Sequence, residues 1–211
     1  MTKEELIFRK YISEEDSTKE IAKLIYTVDE ETFINIFKTE NKAISAIEKR
    51  FIVSNTIINL NKSMNEEYFV LKNIEGKIIG LILIVNGKKE SILSEFIFYI
   101  KHLSIVEALK FIHISLMDKL VLSDFGLGDL YLAELAVDKK EQNKGYGKFL
   151  LSKTKEIAKN DGFSKVILDV DVRKEKAKKI YEKSGFKVFN KKMDKIFNKK
   201  RGMYNMEYIV E

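Results

Sequence analysis

The sequence predicts one mixed α/β domain, a sheet flanked by helices, on three observations. Apolar runs of strand length alternate with stretches of helical period along the whole chain. No Pro-, Gly- or Ser-rich linker divides it and no internal repeat is present. Its 211 residues, 45% of them apolar, suffice for one well-filled core.

The elements follow in order. Ile7 to Tyr11 reads as a short strand. Ser13 ahead of Glu14, Glu15 and Asp16 has the outline of a capping box. Ile21, Leu24, Ile25 and Val28 then recur at helical spacing, so a helix is expected to about Thr27. Asp29 caps a second helix through Phe37, and Asn41 a third with Ile44, Ile47 and Phe51 on one face. Asn55 to Asn65, rich in Asn, reads as a loop. Tyr68 to Lys72 and Lys77 to Val85 form a hairpin turning at Glu75-Gly76, and Asn86-Gly87 ends it. Ser91 to Lys101 is helical, and Ser104 with Glu107 is a second capping box opening a helix to Leu122. The apolar stripe of that helix is Ile105, Leu109, Ile112 and Leu116. After Gly126 and Gly128 come a strand at Leu130 to Val137, a polar loop at Asp138 to Lys144 and a helix at Gly145 to Asn160, closed by Gly162. Lys165 to Val170 is a strand, Lys174 to Ser184 a helix closed by Gly185, and Phe186 to Phe189 and Met203 to Val210 are final strands.

Composition removes several function classes. The chain has no Cys, which excludes a disulfide scaffold, Cys-ligated zinc and a cysteine nucleophile. Its two histidines, His102 and His113, cannot build a His-rich metal site and read as structural or surface, so no metal is expected. The run Ile78 to Val85 is far shorter than the roughly 20 residues of a membrane helix, so no membrane partner is expected. Met1 to Glu5 has no apolar segment of a signal peptide, which predicts a cytoplasmic protein. Lys outnumbers Arg 34 to 4, and Pro and Trp are absent, the signature of AT-rich coding. The net charge of +6 therefore says little about partners, although it is uneven: +11 over residues 139–211 and −5 before them. Lys187 to Arg201 lacks the Arg forks of a nucleic-acid surface and, despite Phe189 and Phe197, reads as a solvated edge and loop. No nucleic-acid partner is expected.

Two segments carry chemistry. Gln142-Asn143-Lys144-Gly145-Tyr146-Gly147 joins a strand to a helix. Glycines there allow close backbone approach, and the first-turn N–H groups and helix dipole make an anion site to which Lys144 and Lys148 add charge. Leu150 stands where a dinucleotide fingerprint needs its third glycine, and Phe149 where a Walker loop needs Ser or Thr. The loop is a phosphate loop of neither kind, or a bare Gly-rich turn. In the second segment Lys174, Ala177 and Tyr181 share one helix face: a cation, a small residue beside which a ligand chain can pass, and a phenol that either donates a proton or is a buried aromatic.

These residues resemble the GNAT superfamily of N-acetyltransferases. Leu130 to Val137 is similar to that family's fourth strand, with its Leu-Ala-Val ending, and residues 142–147 to its Gln/Arg-x-x-Gly-x-Gly/Ala pyrophosphate loop. Ala177 to Phe186 resembles its Ala…Tyr-Glu-Lys-x-Gly-Phe segment. The resemblance covers residues 130–186 closely and the order of elements over 7–85; residues 90–129 read as a helical insertion in a single domain spanning 1–211. It implies a mixed, mostly antiparallel sheet with a V-shaped splay between two central strands, opened by a bulge. It implies an acetyl-CoA co-substrate, its pyrophosphate on backbone N–H groups of Gln142, Asn143, Lys144, Gly145, Tyr146, Gly147 and Lys148, and its pantetheine beside Leu135, Ala136 and Val137. Ala177 lets the cofactor pass. Lys174 stands where many members carry a cofactor-contacting Asn, and contacts a phosphate or a backbone carbonyl, or faces solvent. An N–H near Ala136 would polarise the thioester carbonyl and Tyr181 would protonate the CoA thiolate.

The implied reaction is direct acetyl transfer to a primary amine. It needs no acyl-enzyme, in agreement with the absence of Cys and of a Ser–His motif. Glu134, directly before Leu-Ala-Val, is the base candidate, or else a solvent-facing strand residue. The alternative is a non-catalytic acyl-CoA-binding or regulatory module, which would not need Tyr181. The acceptor is not readable; the acidic first part of the chain favours a cationic one by steering. Phe96, Phe98, Tyr99, Phe111 and Met117 let the insertion pack on the sheet, wall the acceptor pocket or form a homodimer contact.

Overall fold

In the computed structural model, which describes residues 6–60, 66–87, 92–196 and 199–211, the least polar strand lies deepest. Ile78–Asn86 (β3) is buried at its first seven positions because helices cover both faces of the sheet. It pairs antiparallel with Glu66–Lys72 (β2), which carries Ile7–Lys10 (β1) on its outer edge. On its other side lies Asp129–Val137 (β4), also antiparallel. Lys165–Asp171 (β5) then adds parallel to β4, the one parallel contact between sheet neighbours. Lys199–Ile209 (β7) pairs antiparallel with β5, and Lys187–Ile196 (β6) forms the far edge of a seven-stranded sheet ordered β1-β2-β3-β4-β5-β7-β6.

Five helices cover one face. Thr18–Val28 (α1), Glu30–Phe37 (α2), Glu40–Leu60 (α3), Ile92–His102 (α4) and Ile105–Val121 (α5) bury Ile21, Ile25, Phe37, Ile47, Tyr99 and Phe111 against Val70, Leu81 and Ala136. Tyr146–Asn160 (α6) and Glu175–Lys183 (α7) lie on the other face, where Leu150, Leu151 and Phe186 meet Ile79, Ile82, Leu130, Leu132, Val166 and Leu168.

The β4–β5 pairing is short. It runs from Asp129↔Lys165 to Leu132↔Leu168 and stops, while β4 stays on β3 as far as Val137↔Gly80 and β5 stays on β7 as far as Asp171↔Met203. Each strand keeps its outer neighbour and loses its inner one, which is the expected V-shaped splay. It opens where β4 carries an extra residue: Leu83 faces Glu134 and Ile84 faces Leu132, so Ala133 bulges from the ladder.

Several local expectations are corrected. The first helix is capped by Ser17, which accepts from Glu20 N, not by Ser13, whose hydroxyl donates to Glu14. Asp16 is instead buried, with its side chain 0% exposed. It accepts from Arg9 at 2.7 and 2.9 Å, from Lys72 at 3.0 Å and from Ile12 N at 2.8 Å, tying β1 and β2 to the turn before α1. Helix α3 is capped by Thr39, which accepts from Lys42 N, with Asn41 inside. That helix continues to Leu60 because Asn55 and Thr56 donate back to the carbonyls of Phe51 and Ile52, so only residues 61–65 of the expected loop lie outside the described residues. The Ser104–Glu107 capping box is present. Of the stripe expected to bury α5, Ile112 packs against the core but Ile105 (71% exposed), Leu109 (57%) and Leu116 face outward; Ala108, Phe111 and Val121 are the buried side. The run at Lys187 to Arg201 is the exposed edge that was expected, formed as strand β6 and the start of β7 rather than as a loop, with residues 197–198 outside the described residues.

Burial pushes the Asp16 carboxyl up, but hydrogen bonds from Arg9, Ile12 N and Lys72 outweigh it, and the net shift is downward. A depressed carboxylate stabilises the fold above its unfolded value and loses that contribution as pH falls through its folded value. Asp16→Asn is therefore expected to cost about 3 kcal/mol at pH 7, since it strands two cations, and to abolish part of the acid limb. Urea unfolding of both proteins at pH 7 and pH 3 measures this.

Candidate active site

The loop from β4 to α6 is shaped by two left-handed residues, Asn143 (φ 65°) and Gly145 (φ 93°). Gly145 is the N-cap of α6 and offers no side-chain acceptor; the first helical bond runs from Phe149 N to Gly145 O at 3.0 Å. The N–H groups of Gly147 and Lys148 precede that bond, in a helix start with no side-chain cap to satisfy them. A Cβ built on Gly145 or on Gly147 would meet nothing within 4 Å, so the space over this turn is open. Upstream, Asp138 accepts from Lys140 N at 2.9 Å and pairs with Lys77 at 2.8 Å, which fixes the loop on β3. Gln142 donates its amide to Val137 O at 3.2 Å, and Lys144 pairs with Glu141 at 2.8 Å. Lys148 is exposed. The loop is thus braced by its own side chains and turns its backbone outward.

Beside it runs the open arm of β4. The side chains of Leu135 and Val137 pack toward α6, and Ala136 toward α1. Among the described residues no strand pairs with the inner edge of this arm. On the facing arm, α7 places Ala177 and Tyr181 against the α6-side core. The Tyr181 ring meets Phe186 at 6.1 Å, and among the described residues its hydroxyl has no hydrogen-bond partner. Burial pushes this phenol up to about 12, so it keeps its proton at neutral pH.

The corner between α1 and α2 spans the mouth of the V. Lys174 donates to the Val28 carbonyl, Arg173 pairs with Glu31 and Asp171, and Lys139 pairs with Glu30 at 2.6 Å. Arg201 on β7 joins Asp29 at 3.2 Å and Asp118 at 2.6 Å. Lys174 thus takes the backbone-carbonyl option among those open to it in the sequence.

Glu134 lies on the other face of β4, which the bulge decides. Tyr131 already faces α5, and the extra Ala133 shifts the alternation so that Glu134, three residues on, faces the same side. Tyr68, Leu83 and Glu134 form one lane across β2, β3 and β4. Arg50 of α3 stacks over the rings of Tyr99 at 5.7 Å and Phe111 at 5.4 Å. Glu134 Oε2 is buried without a hydrogen-bond partner. Burial raises this carboxyl to about 7; Arg50 opposes the rise, and Glu66 and Asp118 add to it. The sequence singled out Tyr99 as a large insertion residue but gave no role to Arg50, Tyr68, Asp118 or Arg201. The scarcity of Arg was the one available signal for Arg50 and Arg201.

Residues 25–186 match the family profile of the Acetyltransferase (GNAT) family. The chain belongs to the GNAT acetyltransferase family. Solved GNAT acetyltransferases share the fold. A spermidine N-acetyltransferase from Vibrio cholerae, in complex with CoA and spermine, superposes with a TM-score of 0.59 at 14% identity, over 97% of this chain and 95% of that one. An N-acetyltransferase from Staphylococcus aureus Mu50 does so with a TM-score of 0.58 at 15% identity, over 98% and 99% of the two chains. A further acetyltransferase reaches 0.59 at 20% identity, over 97% and 100%. No curated protein sequence matches the chain. The family uses acetyl-CoA, and the uncapped α6 terminus with open space over Gly145 and Gly147 fits such a pyrophosphate. Among the described residues no helix is long and apolar enough to cross a membrane.

A carboxyl raised from 4.5 to about 7 holds a proton in the folded protein where the unfolded chain has lost it, so stability falls as pH rises through that window. Glu134→Gln is expected to remove this slope, sparing about 3 kcal/mol of the loss between pH 4.5 and pH 8. Urea unfolding across that range is the measurement, and parallel curves for the two proteins would disprove the assignment.

Proposed function

We propose that the chain is an acetyl-CoA-dependent N-acetyltransferase that moves the acetyl group directly to a primary amine. The observation that carries this reading is the junction of three features at one place: the bulged, unpaired arm of β4, the uncapped N-terminus of α6, and a neutral Tyr181 on the opposite arm. Backbone N–H groups between Gln142 and Lys148 hold the pyrophosphate, and the arm at Leu135, Ala136 and Val137 pairs with the pantetheine as an absent strand would. Ala177 leaves room for that chain. Lys174 acts through the α1–α2 corner, holding it over the V.

The residues then divide the proton work. The amine nitrogen attacks the thioester carbon, and its proton passes to the Glu134 carboxylate, directly or through water. An N–H near Ala136 stabilises the oxygen charge that develops. The C–S bond breaks as Tyr181 gives its proton to the sulfur, and solvent reprotonates the phenolate. At neutral pH the phenol near 12 keeps its proton to give, and about half of a carboxyl that titrates near 7 is ionised and able to take one.

Two variants test this. Gly147→Val places a side chain where the protein has nothing within 4 Å, so the melting temperature should hold while CoA affinity falls at least about tenfold by titration calorimetry. Unchanged affinity would remove the pyrophosphate from this turn. Tyr181→Phe should keep CoA affinity and lower kcat by about 100-fold or more, and full turnover would end its role as acid.

A further inference from the structure

The four arginines of this lysine-rich chain occupy places where a planar, multi-donor cation is used. Arg9 engages Asp16 and Glu15; Arg173 engages Asp171 and Glu31; Arg201 engages Asp29 and Asp118. Arg50 breaks this pattern. Stacked on Tyr99 and Phe111, its guanidinium makes no ion pair and no hydrogen bond among the described residues. On β4, Glu134 has a buried oxygen with no hydrogen-bond partner, and among the described residues it makes no ion pair with Arg50. A buried carboxyl oxygen without a partner is costly unless a bound group satisfies it.

We infer that Arg50 and Glu134 are the two poles of the acceptor site, and that the acceptor is an amino-acid-like molecule whose carboxylate lies on the Arg50 fork while its amine faces Glu134. This rests on the acetyltransferase reading given above. The stacking fixes the plane of the guanidinium and leaves its edge donors for a bidentate acid group. Glu66 and Tyr68 from β2 and Tyr99 from α4 act on Arg50 electrostatically, and Glu66 with Asp118 from α5 acts on Glu134. Asp118 is paired with Arg201 at 2.6 Å, which leaves Glu66 and Glu134 as the carboxylates acting on the Arg50 guanidinium. The same carboxylates favour an ammonium at the Glu134 end. The lane Tyr68–Leu83–Glu134 puts that end on the bulged strand, beside the open arm where the thioester would lie.

The test uses the full chain with acetyl-CoA and follows release of CoA thiol, which a protein without cysteine does not obscure. The acceptors are matched sets: an α-amino acid, its amide, and the amine that decarboxylation leaves, for small, aromatic and basic side chains. The acid-bearing member of at least one set should have a kcat/KM at least about tenfold above its two analogues. Arg50→Met should bring that ratio close to one, through KM, with CoA affinity retained as a check on folding, and Arg50→Lys should restore it only in part. Amides or decarboxylated amines acetylated as well as the acids by the unmodified protein would overturn the inference, as would activity confined to polyamines, while leaving acetyl transfer standing. Failure of the folded protein to bind CoA would strike acetyl transfer itself, and this inference with it.

Discussion

The site depends on where β4 and β5 stop pairing. Four residue pairs join the strands, and beyond Leu132 each is held only by its outer neighbour. The bulge at Ala133 has two effects there. It bends β4 away from β5, which opens the V, and it changes the phase of the strand, which turns Glu134 to the α1–α5 face. A single inserted residue thereby sets both the gap for an acyl donor and the side from which a base would act. The uncapped turn of α6 adds a place for negative charge at the same end of β4.

Charged side chains finish the frame. The α1–α2 corner receives Lys139 from the β4 arm, Arg173 and Lys174 from the β5 arm, and Arg201 from β7. Such exposed pairs contribute little individually. Their placement still matters, since the corner is joined to both arms, and the width of the V is tied to it. Asp16 acts differently, as a buried carboxylate whose three partners hold the β1–β2 edge to α1.

Much of the fold was legible because local rules agreed with tertiary structure. The alternation from Leu130 to Gly185, the hairpin at Glu75-Gly76 and the Ser104 capping box all stand as the sequence predicted. The failures have local causes. Ser13 and Ser17 both precede an acidic residue by three, and only burial of Asp16 decides between them. Asn55 suggested a loop, yet its side chain bonds back within α3. Helix α5 carries apolar residues on two arcs, and periodicity does not say which meets the core. Glycine spacing marked the uncapped turn before α6, and the Leu-Ala-Val ending marked Glu134. Arg50 was invisible because its neighbours come from α4 and α5, far away in sequence.

The strand order carries one more consequence, for the time course of folding. The β2–β3 hairpin and the β6–β7 hairpin can each form from neighbouring residues, but β5 has no sheet partner nearby in sequence. One neighbour, β4, lies across all of α6, and the other, β7, lies across α7 and the whole of β6. Loop closure makes such contacts slower to form than those of the hairpins. The splay is bounded by those two seams, so it is completed after the hairpins on either side of it. A partly folded chain would hold much of its helix and hairpin structure with no gap for an acyl donor, and competence to bind would arrive only with these long-range pairings.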